Sequence, residues 1–128
     1  MNNRIADEKT SVAALYEDSS VASSYLEKRM QFSWQRLLHT RQVEIVNEVV
    51  HRHAPDSVLE LAPGPARISA ELDGIKNGVM IENSEEMLKI ARERLRLKGK
   101  DKSWEVIGGS AFDLDELLGE RQFGMAYT

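Results

Sequence analysis

The sequence predicts an α/β fold in which a mostly parallel sheet of about four strands follows a helical amino-terminal segment. Two observations support this fold class. After residue 55, short apolar runs alternate with helical patterns, and such alternation is typical of a parallel sheet covered by helices. The first apolar run leads into a tight turn that contains proline and glycine, residues 62–67, and then into a helical pattern. A ligand site is expected at that turn.

The amino-terminal part of the chain carries only helical patterning. The predicted helices cover residues 20–32 and 40–53, with a looser turn or two near residues 11–16. Trp34, Leu37 and Leu38 are expected to be packing residues of a helix.

A boundary is predicted at the end of this helical part. Ala54 precedes a proline, and the residue before a proline is biased away from helix. The chain is therefore expected to divide into a helical cap, residues 1–55, and a sheet-containing part, residues 56–128.

Four strands and two helices are predicted beyond the boundary. The strands cover residues 58–61, 79–81, 104–107 and 123–127, and the helices cover residues 65–72 and 84–97. The second helix has clear start signals, because Asn83 can cap it and Glu86 lies three residues later. Its apolar stripe consists of Met87, Leu88, Ala91 and Leu95. The strand before this helix therefore ends near Glu82, at the carboxyl edge of the sheet.

Composition limits the classes of function. The length of 128 residues fits one domain with an ordinary core. No apolar run approaches the ~20 residues that cross a bilayer, and the start lacks a secretory apolar core, so a cytoplasmic protein without a membrane partner is expected. The net charge of −4 argues against nonspecific nucleic-acid binding. Cysteines are absent and His51 and His53 lie on different helix faces, so no metal site is predicted.

The turn at residues 62–67 argues against a phosphate ligand. Pro63 and Pro65 remove two of the backbone N–H donors that a phosphate loop needs. Arg67 stands where a dinucleotide-binding loop has its third glycine, and no Gly-Lys-Ser/Thr follows. An NAD-dependent oxidoreductase and a Walker-type nucleotide-binding protein are therefore disfavoured.

An acid at the end of the second predicted strand favours a nucleoside ligand. Glu82 lies 18 residues beyond Gly64. Dinucleotide-binding folds place the acid that binds ribose hydroxyls about 20 residues beyond the glycine loop. A ligand with a nucleoside but without phosphates fits both observations.

The residues around this turn and after it resemble those of class I S-adenosylmethionine (SAM)-dependent methyltransferases, which have a Rossmann-like fold. The family motif Glu/Asp-x-Gly-x-Gly-x-Gly aligns with residues 60–66, Glu-Leu-Ala-Pro-Gly-Pro-Ala. The family's acid followed by x-Ser-x-x-Met-Leu matches residues 82–88. Residues 109–114 are similar to the Gly-Asp-Ala loop, and residues 123–127 resemble strand four. The resemblance covers about residue 57 to the end.

The resemblance implies SAM as the cofactor and methyl transfer as the activity. Glu60 would organise the loop and the cofactor's amino end, Gly64 would let the backbone close on it, and Glu82 would accept hydrogen bonds from both ribose hydroxyls. Residues of the helical cap would form a lid, with Arg29 near the cofactor carboxylate. The cofactor-binding residues predicted in this way are Tyr25, Arg29, Glu60, Ala62, Gly64, Glu82, Asn83, Ser110, Ala111 and Phe112, with Tyr16 as a further lid contact.

Four positions depart from the family pattern. Ala62 and Ala66 replace glycines, Ser110 replaces the aspartate that binds the adenine amino group, and Gly124 replaces the aspartate of strand four. They leave open an alternative, a non-catalytic methyltransferase-fold protein that binds a nucleoside or a protein partner. No catalytic residue is predicted, because holding donor and acceptor in line can itself contribute ~7 to 11 kcal/mol. An acceptor that must be deprotonated would need a base, and the sequence identifies none.

The resemblance also implies a seven-stranded sheet ordered 3-2-1-4-5-7-6, whereas the sequence ends after its fourth predicted strand. We therefore expect a truncated chain or a proteolytic fragment, whose acceptor, a small molecule, cannot be identified from these residues. The fourth strand, residues 123–127, would be an unpaired apolar edge, and such edges invite association. A stable form is expected either to pair through this edge as a homo-oligomer or to have a rearranged topology.

Overall fold

The structure of the protein is a computed structural model that describes residues 19–128, with side chains from residue 24 onward. The turn predicted near residues 11–16, including Tyr16, lies outside the described residues. Within residues 19–128, no helix is both long enough and apolar enough to span a membrane. The division of the chain at residue 55 stays a prediction.

Two helices precede the sheet, α1 (Ser19–Arg29) and α2 (Ser33–His53). The predicted gap between these two helices, residues 33–39, was wrong, because α2 begins at Ser33, seven residues before the predicted start at residue 40. The cause is local. Phe32 is extended, and its N–H donates to Gln35 Oε1 at 2.9 Å, so a new helix starts at this point. The end of α2 before Ala54 is as predicted.

The face of α2 that packs on the sheet also differs from the prediction. Val46 and Val50 contact the core, whereas the side chains of Trp34 and Leu37 are 63% and 71% exposed, and Leu38 is exposed as well. Val46 and Val50 are four residues apart and share one side of the helix, and the stripe that they continue does not include Trp34 or Leu37. The prediction that these residues pack is wrong for the described part of the chain.

The described residues form a four-stranded parallel sheet in the order β3-β2-β1-β4. The strands are β1 (Val58–Leu61), β2 (Gly78–Glu82), β3 (Trp104–Gly108) and β4 (Met125–Tyr127). Each predicted strand is present, with shifts of up to two residues at its ends. The predicted α/β fold class is confirmed, and the strand order is the 3-2-1-4 that the resemblance implied.

Successive residues of the strands alternate between two apolar layers. Val58 and Met80 pack in one layer, which also contains Val50 of α2 and Trp104 of β3. The second layer contains residues of β1 and β2 on the opposite face together with Leu118. Because side chains alternate along a strand, Glu60 and Glu82 share the face of Val58 and Met80.

The segment after β1 is the main departure from the predicted elements. Residues 64–68 form turns, and only a short 3₁₀ helix, Ser69–Glu71, follows them. Gly64 and Ala66 have φ values of 59° and 57°, in the left-handed region, and an α-helix cannot pass through such residues. The helix predicted over residues 65–72 is therefore absent.

Two further helices connect the later strands, α3 (Glu85–Leu97) and α4 (Leu114–Leu118). The cap predicted for α3 was wrong, because Ser84 caps it in place of Asn83. Ser84 Oγ accepts from the Met87 N–H at 3.3 Å. The apolar stripe of α3 is buried as predicted. The sequence did not predict α4.

Candidate functional site at the carboxyl edge of the sheet

Three parallel strands bring the predicted site residues to one edge. The turn after β1, the start of α3 after β2 and the segment after β3 all lie where these strands end. Two hydrogen bonds join them: the Gly64 N–H donates to Glu82 Oε2 at 2.7 Å, and the Gly109 N–H donates to the Glu82 carbonyl oxygen at 3.0 Å. Glu82 is therefore the centre of this edge.

The Glu82 carboxylate is held by backbone groups on both oxygens. Besides the bond from Gly64, Oε1 accepts from the N–H groups of Asn83 at 2.9 Å and Ser84 at 3.0 Å. The residue is only 8% exposed. A carboxylate offers about four acceptor positions, so about one remains for a further donor. The arrangement can accept a hydroxyl at a fixed place.

The turn after β1 keeps a glycine-type backbone although two of its residues are alanines. Ala62, Gly64 and Ala66 have φ values of 52°, 59° and 57°. These are the three positions at which the family motif has glycine. A left-handed conformation costs a residue with a Cβ roughly 1–2 kcal/mol, so both alanines carry strain.

Arg67 fixes the turn to α2. One guanidinium nitrogen, Nη1, lies 2.8 Å from both His39 Nδ1 and Gln42 Oε1. Burial, and then the charge of Arg67, hold the pKa of His39 below its usual range, which favours the neutral ring, whose unprotonated nitrogen can accept a hydrogen bond. The Arg67 side chain, which stands where a dinucleotide-binding loop would have its third glycine, therefore points to α2.

Glu60 lies beneath the turn as a buried acid. It is 3% exposed, and its Oε2 accepts hydrogen bonds from Ser69 Oγ and, at 3.1 Å, from Tyr127 Oη. Burial raises the pKa of Glu60 from the ordinary 4.5 to about 8, although the bond from Tyr127 and the charge of Arg67 lower it. Burial, and then the nearby Glu60, raise the pKa of Tyr127 above its usual range. Burial therefore favours a protonated Glu60 near neutral pH.

The predicted lid residues of α1 lie beside the turn. Tyr25 Cε1 would be 4.0 Å from a Cβ built on Gly64, and the Arg29 guanidinium lies 5.8 Å from the centre of the Tyr25 ring. The pKa of Arg67 is lowered by burial and then by the charge of Arg29, so these two cations are neighbours. No ion pair to either of them occurs among residues 24–128. An anionic group would be favoured here.

The segment after β3 completes the edge. Ser110 Oγ accepts from the Phe112 N–H at 3.2 Å, and Ala111 and Phe112 are exposed. Gly109 connects this segment to the Glu82 backbone. The three cofactor-binding residues predicted in this segment, Ser110, Ala111 and Phe112, thus lie on the same edge as Glu82.

No protein-family model matches the sequence, and no curated protein matches it. Among solved structures, the O-methyltransferase of Bacillus cereus in complex with SAH matches with a TM-score of 0.58 and 20% identity, over 64% of this chain and 39% of that one. The O-methyltransferase TomG of Streptomyces achromogenes in complex with SAM matches with a TM-score of 0.60 and 22% identity, over 67% and 42%.

A third structure covers more of this chain. The SAH-bound methyltransferase of Podospora anserina matches with a TM-score of 0.60 and 18% identity, over 98% of this chain and 57% of that one. The chain has the class I methyltransferase fold. It spans about two fifths of the length of the two O-methyltransferases.

Within the class I methyltransferase fold, the departure at Gly124 has a steric reason. Its N–H donates to the Ser57 carbonyl oxygen at 3.0 Å, and a Cβ built on it would lie 3.1 Å from Pro55 Cβ. An aspartate there would crowd Pro55. The glycine therefore fits the close approach of β4 to the segment before β1.

The sequence did not identify three residues of this site, Ser69, Tyr127 and Arg67, as site residues. Ser69 and Tyr127 contact Glu60, and Arg67 contacts α2. Only the strand register would have identified Tyr127, which lies directly opposite Glu60. No sequence signal pairs Arg67 with His39.

A separate pocket of about 340 Å³ lies at the opposite, amino-terminal edge of the sheet, and none of the predicted site residues lines it. Lys76, Lys102 and Arg121 are among its lining residues. No group of three or more His, Cys, Asp or Glu side chains that could hold a metal occurs within the described part of the chain.

Proposed function

We propose that this chain binds SAM at the carboxyl edge of the sheet and takes part in methyl transfer to a small-molecule acceptor. The observation that carries the proposal is the Glu82 carboxylate, which joins the ends of β1 and β2 through the 2.7 Å bond from the Gly64 N–H. Of the three matching structures named above, two are described as bound to SAH and one as bound to SAM. Their described ligands support the choice of cofactor.

Residues of the edge would hold the nucleoside part of the cofactor. Glu82 would accept a ribose hydroxyl at its remaining acceptor position, and Asn83 lies exposed beside it. Accepting both ribose hydroxyls would require one of the three backbone bonds to lengthen, because about four acceptor positions exist in all. Ser110, Ala111 and Phe112 would flank the adenine.

Residues around the turn would hold the amino-acid part. Glu60 lies below the turn and would face the ammonium group, while Arg29 and Arg67 would attract the carboxylate. Gly64 leaves room beside Tyr25, and Ala62 is exposed on the turn. Bound SAM supplies a methyl group activated by a positive sulfonium. The protein's task is then to orient donor and acceptor and exclude water. A hydroxyl acceptor would also lose its proton as the methyl group is transferred, and a general base would have to accept that proton.

Other parts of this proposal rest on composition and on the matches. The small-molecule acceptor is supported by the O-methyltransferases among the matching structures. A cytoplasmic location, the absence of nucleic-acid and membrane partners, a truncated chain and an oligomer through the β4 edge stay predictions.

A second candidate function is nucleoside or protein-partner binding without methyl transfer. Two observations favour it. Ala62 presents a methyl group on the exposed surface of the turn, and Ser110 lacks the family's carboxylate while its Oγ already accepts from the Phe112 N–H. Both changes would lower the affinity for the cofactor.

Isothermal titration of the protein with SAM, SAH and adenosine tests the proposal. We expect micromolar binding of SAM and SAH, and we expect Glu82→Gln to weaken it by about tenfold or more, since a charge-assisted hydrogen bond contributes roughly 1.5–3 kcal/mol. Glu105→Gln is the matched control, because Glu105 is an exposed acid on β3 that pairs with Arg121. It should bind normally.

Two results would contradict the proposal. If the wild-type protein binds neither SAM nor SAH, the proposed cofactor site at the carboxyl edge is wrong. Binding of adenosine alone would favour the second candidate. Far-ultraviolet circular dichroism of each variant separates lost binding from lost folding.

A further inference from the structure

Glu60 is an acid placed inside the fold with hydroxyl partners in place of a cation. It lies opposite Tyr127 in the parallel register of β1 and β4, which directs both side chains to the same face. Tyr127 Oη and Ser69 Oγ both donate to the same oxygen, Oε2. Among residues 24–128, no lysine or arginine forms an ion pair with Glu60.

The charges around Glu60 come from three elements. Arg67 approaches from the turn and favours the ionised acid, Glu82 at the end of β2 disfavours it, and the Tyr127 hydroxyl of β4 favours it by hydrogen bonding. Burial outweighs these groups and raises the pKa of Glu60 to about 8. A buried carboxylate without an ion-pair partner is costly, so Glu60 is protonated at neutral pH before a cationic ligand binds.

We propose that Ser69 and Tyr127 position Glu60 to release its proton when the cationic amino end of SAM or SAH enters the site, so that cofactor binding is coupled to proton release. The O–H bond of the Glu60 carboxyl breaks, the proton passes to the buffer, and the carboxylate remains beside the protonated amino group of the ligand. This inference rests on the proposed function, because it needs the cofactor to bind with its amino end toward Glu60. Ser69 and Tyr127 are positioning residues.

The coupling follows from the charge that the ligand brings. A positive group within about 4–6 Å of a carboxyl favours its ionised form, so the ligand replaces the proton as the counter-charge. Because protons leave on binding, the affinity rises with pH while Glu60 of the empty site is protonated. Between about pH 5.5 and pH 7.0 the ligand's own amino group stays charged, since α-amino groups titrate near pH 7.7–8.0.

Calorimetry of the wild-type chain with SAH at pH 6.5, in a buffer of low and a buffer of high ionisation enthalpy, tests the coupling. We expect the observed enthalpy to differ between the buffers by the amount that corresponds to nearly one released proton. The affinity should rise by up to about tenfold per pH unit between pH 5.5 and pH 7.0. Glu60→Gln, which cannot ionise, should abolish both effects, and Glu105→Gln should retain both.

A second measurement isolates the positioning role and does not depend on a ligand. Carbon-13 NMR of the glutamate carboxyls should show one acid that titrates near pH 8 and is missing in Glu60→Gln. Tyr127→Phe removes a hydrogen bond that favours the ionised acid, so its midpoint should move to higher pH. A residue that only supports the fold would leave the midpoint in place.

The possible outcomes are distinct. Binding of SAH with an enthalpy that is equal in both buffers would overturn this inference and leave the proposed function intact. Absence of SAH binding would overturn both. An unchanged midpoint in folded Tyr127→Phe would overturn the positioning role of Tyr127.

Discussion

Ala62 and Ala66 show that the conformation of the turn is set by more than the identity of its residues. Both keep the left-handed backbone that glycine would adopt without strain. Tertiary contacts maintain it, because the bond from the Ala62 N–H to the Ile81 carbonyl oxygen, at 2.9 Å, ties the turn to β2. Substituting alanine for glycine in the motif has therefore preserved the backbone path at an energetic cost.

Ala62→Gly should relieve part of this strain. A left-handed alanine costs roughly 1–2 kcal/mol, and glycine returns about 0.4–1 kcal/mol through the greater freedom of the unfolded chain. We expect a gain of up to about 1 kcal/mol in the free energy of unfolding, measured by urea denaturation.

The matched control for this prediction is Ala111→Gly. Ala111 is also exposed in a turn but does not have a positive φ. Its substitution should destabilise the protein by about 0.5 kcal/mol. A loss of stability for Ala62→Gly as large as that for Ala111→Gly would mean that the turn is not strained at residue 62.

At the scale of the elements, sequence patterns did not reveal the contact of the turn with α2, the start of α2 or the short helix α4. Periodicity identified α2 but not its start, because the break between α1 and α2 depends on one hydrogen bond, which the Phe32 N–H donates to the Gln35 side chain. The short helix α4 was missed for a similar reason. Its Asp113 and the acidic residues of its first turn are a weak start signal in five residues.

Arg67→Met should loosen the turn from α2. Methionine keeps the apolar stem but loses the hydrogen bonds to His39 and Gln42, and both acceptors are left partly buried. Since the guanidinium is partly exposed, we expect a loss of about 1 kcal/mol in the free energy of unfolding. Faster hydrogen exchange should accompany it at the turn.

Arg52→Met provides the comparison on the same helix. Arg52 pairs with Glu48 in an exposed i, i+4 ion pair, and such pairs contribute roughly 0.3–0.5 kcal/mol. Equal losses for the two variants would show that Arg67 makes only a surface contact.

For the molecule as a whole, the buried acid makes folding stability depend on pH. The folded-state pKa of Glu60, about 8, lies above the ordinary 4.5. Its contribution to stability is therefore complete below about pH 4.5 and is lost as the pH rises through 8, because the unfolded chain releases this proton first. Glu60→Gln should thus gain stability relative to wild type between these pH values, by a few kcal/mol.

Urea denaturation of both proteins at pH 5, 7 and 8.5 measures this difference. Comparing the two proteins cancels the titration of the other groups. A difference in unfolding free energy that does not change with pH would show that Glu60 is ionised in the folded protein.

The sequence predicted the strands and the residues of the motifs, but it did not predict the contacts that these residues make with distant parts of the chain. Short apolar runs located all four strands, and the resemblance, not the periodicity, supplied the order 3-2-1-4 that the structure has. The motif also located Glu60, Gly64 and Glu82 on one edge. Contacts that depend on register or on a distant helix, such as those of Tyr127 and Arg67, could not be predicted, because no local pattern encodes them.

The two neighbours of β1 lie at very different distances along the chain, and this affects how the protein forms during synthesis. Tyr127 of β4 lies 67 residues beyond Glu60. At about 5–20 residues per second, the ribosome needs several seconds to make the residues between them. Throughout that interval Glu60 lacks the Tyr127 hydroxyl, one of the two hydrogen-bond donors that it has in the folded protein. Arrival of β4 supplies this partner and helps to bury the acid, so the burial that favours proton uptake by Glu60 follows the synthesis of β4.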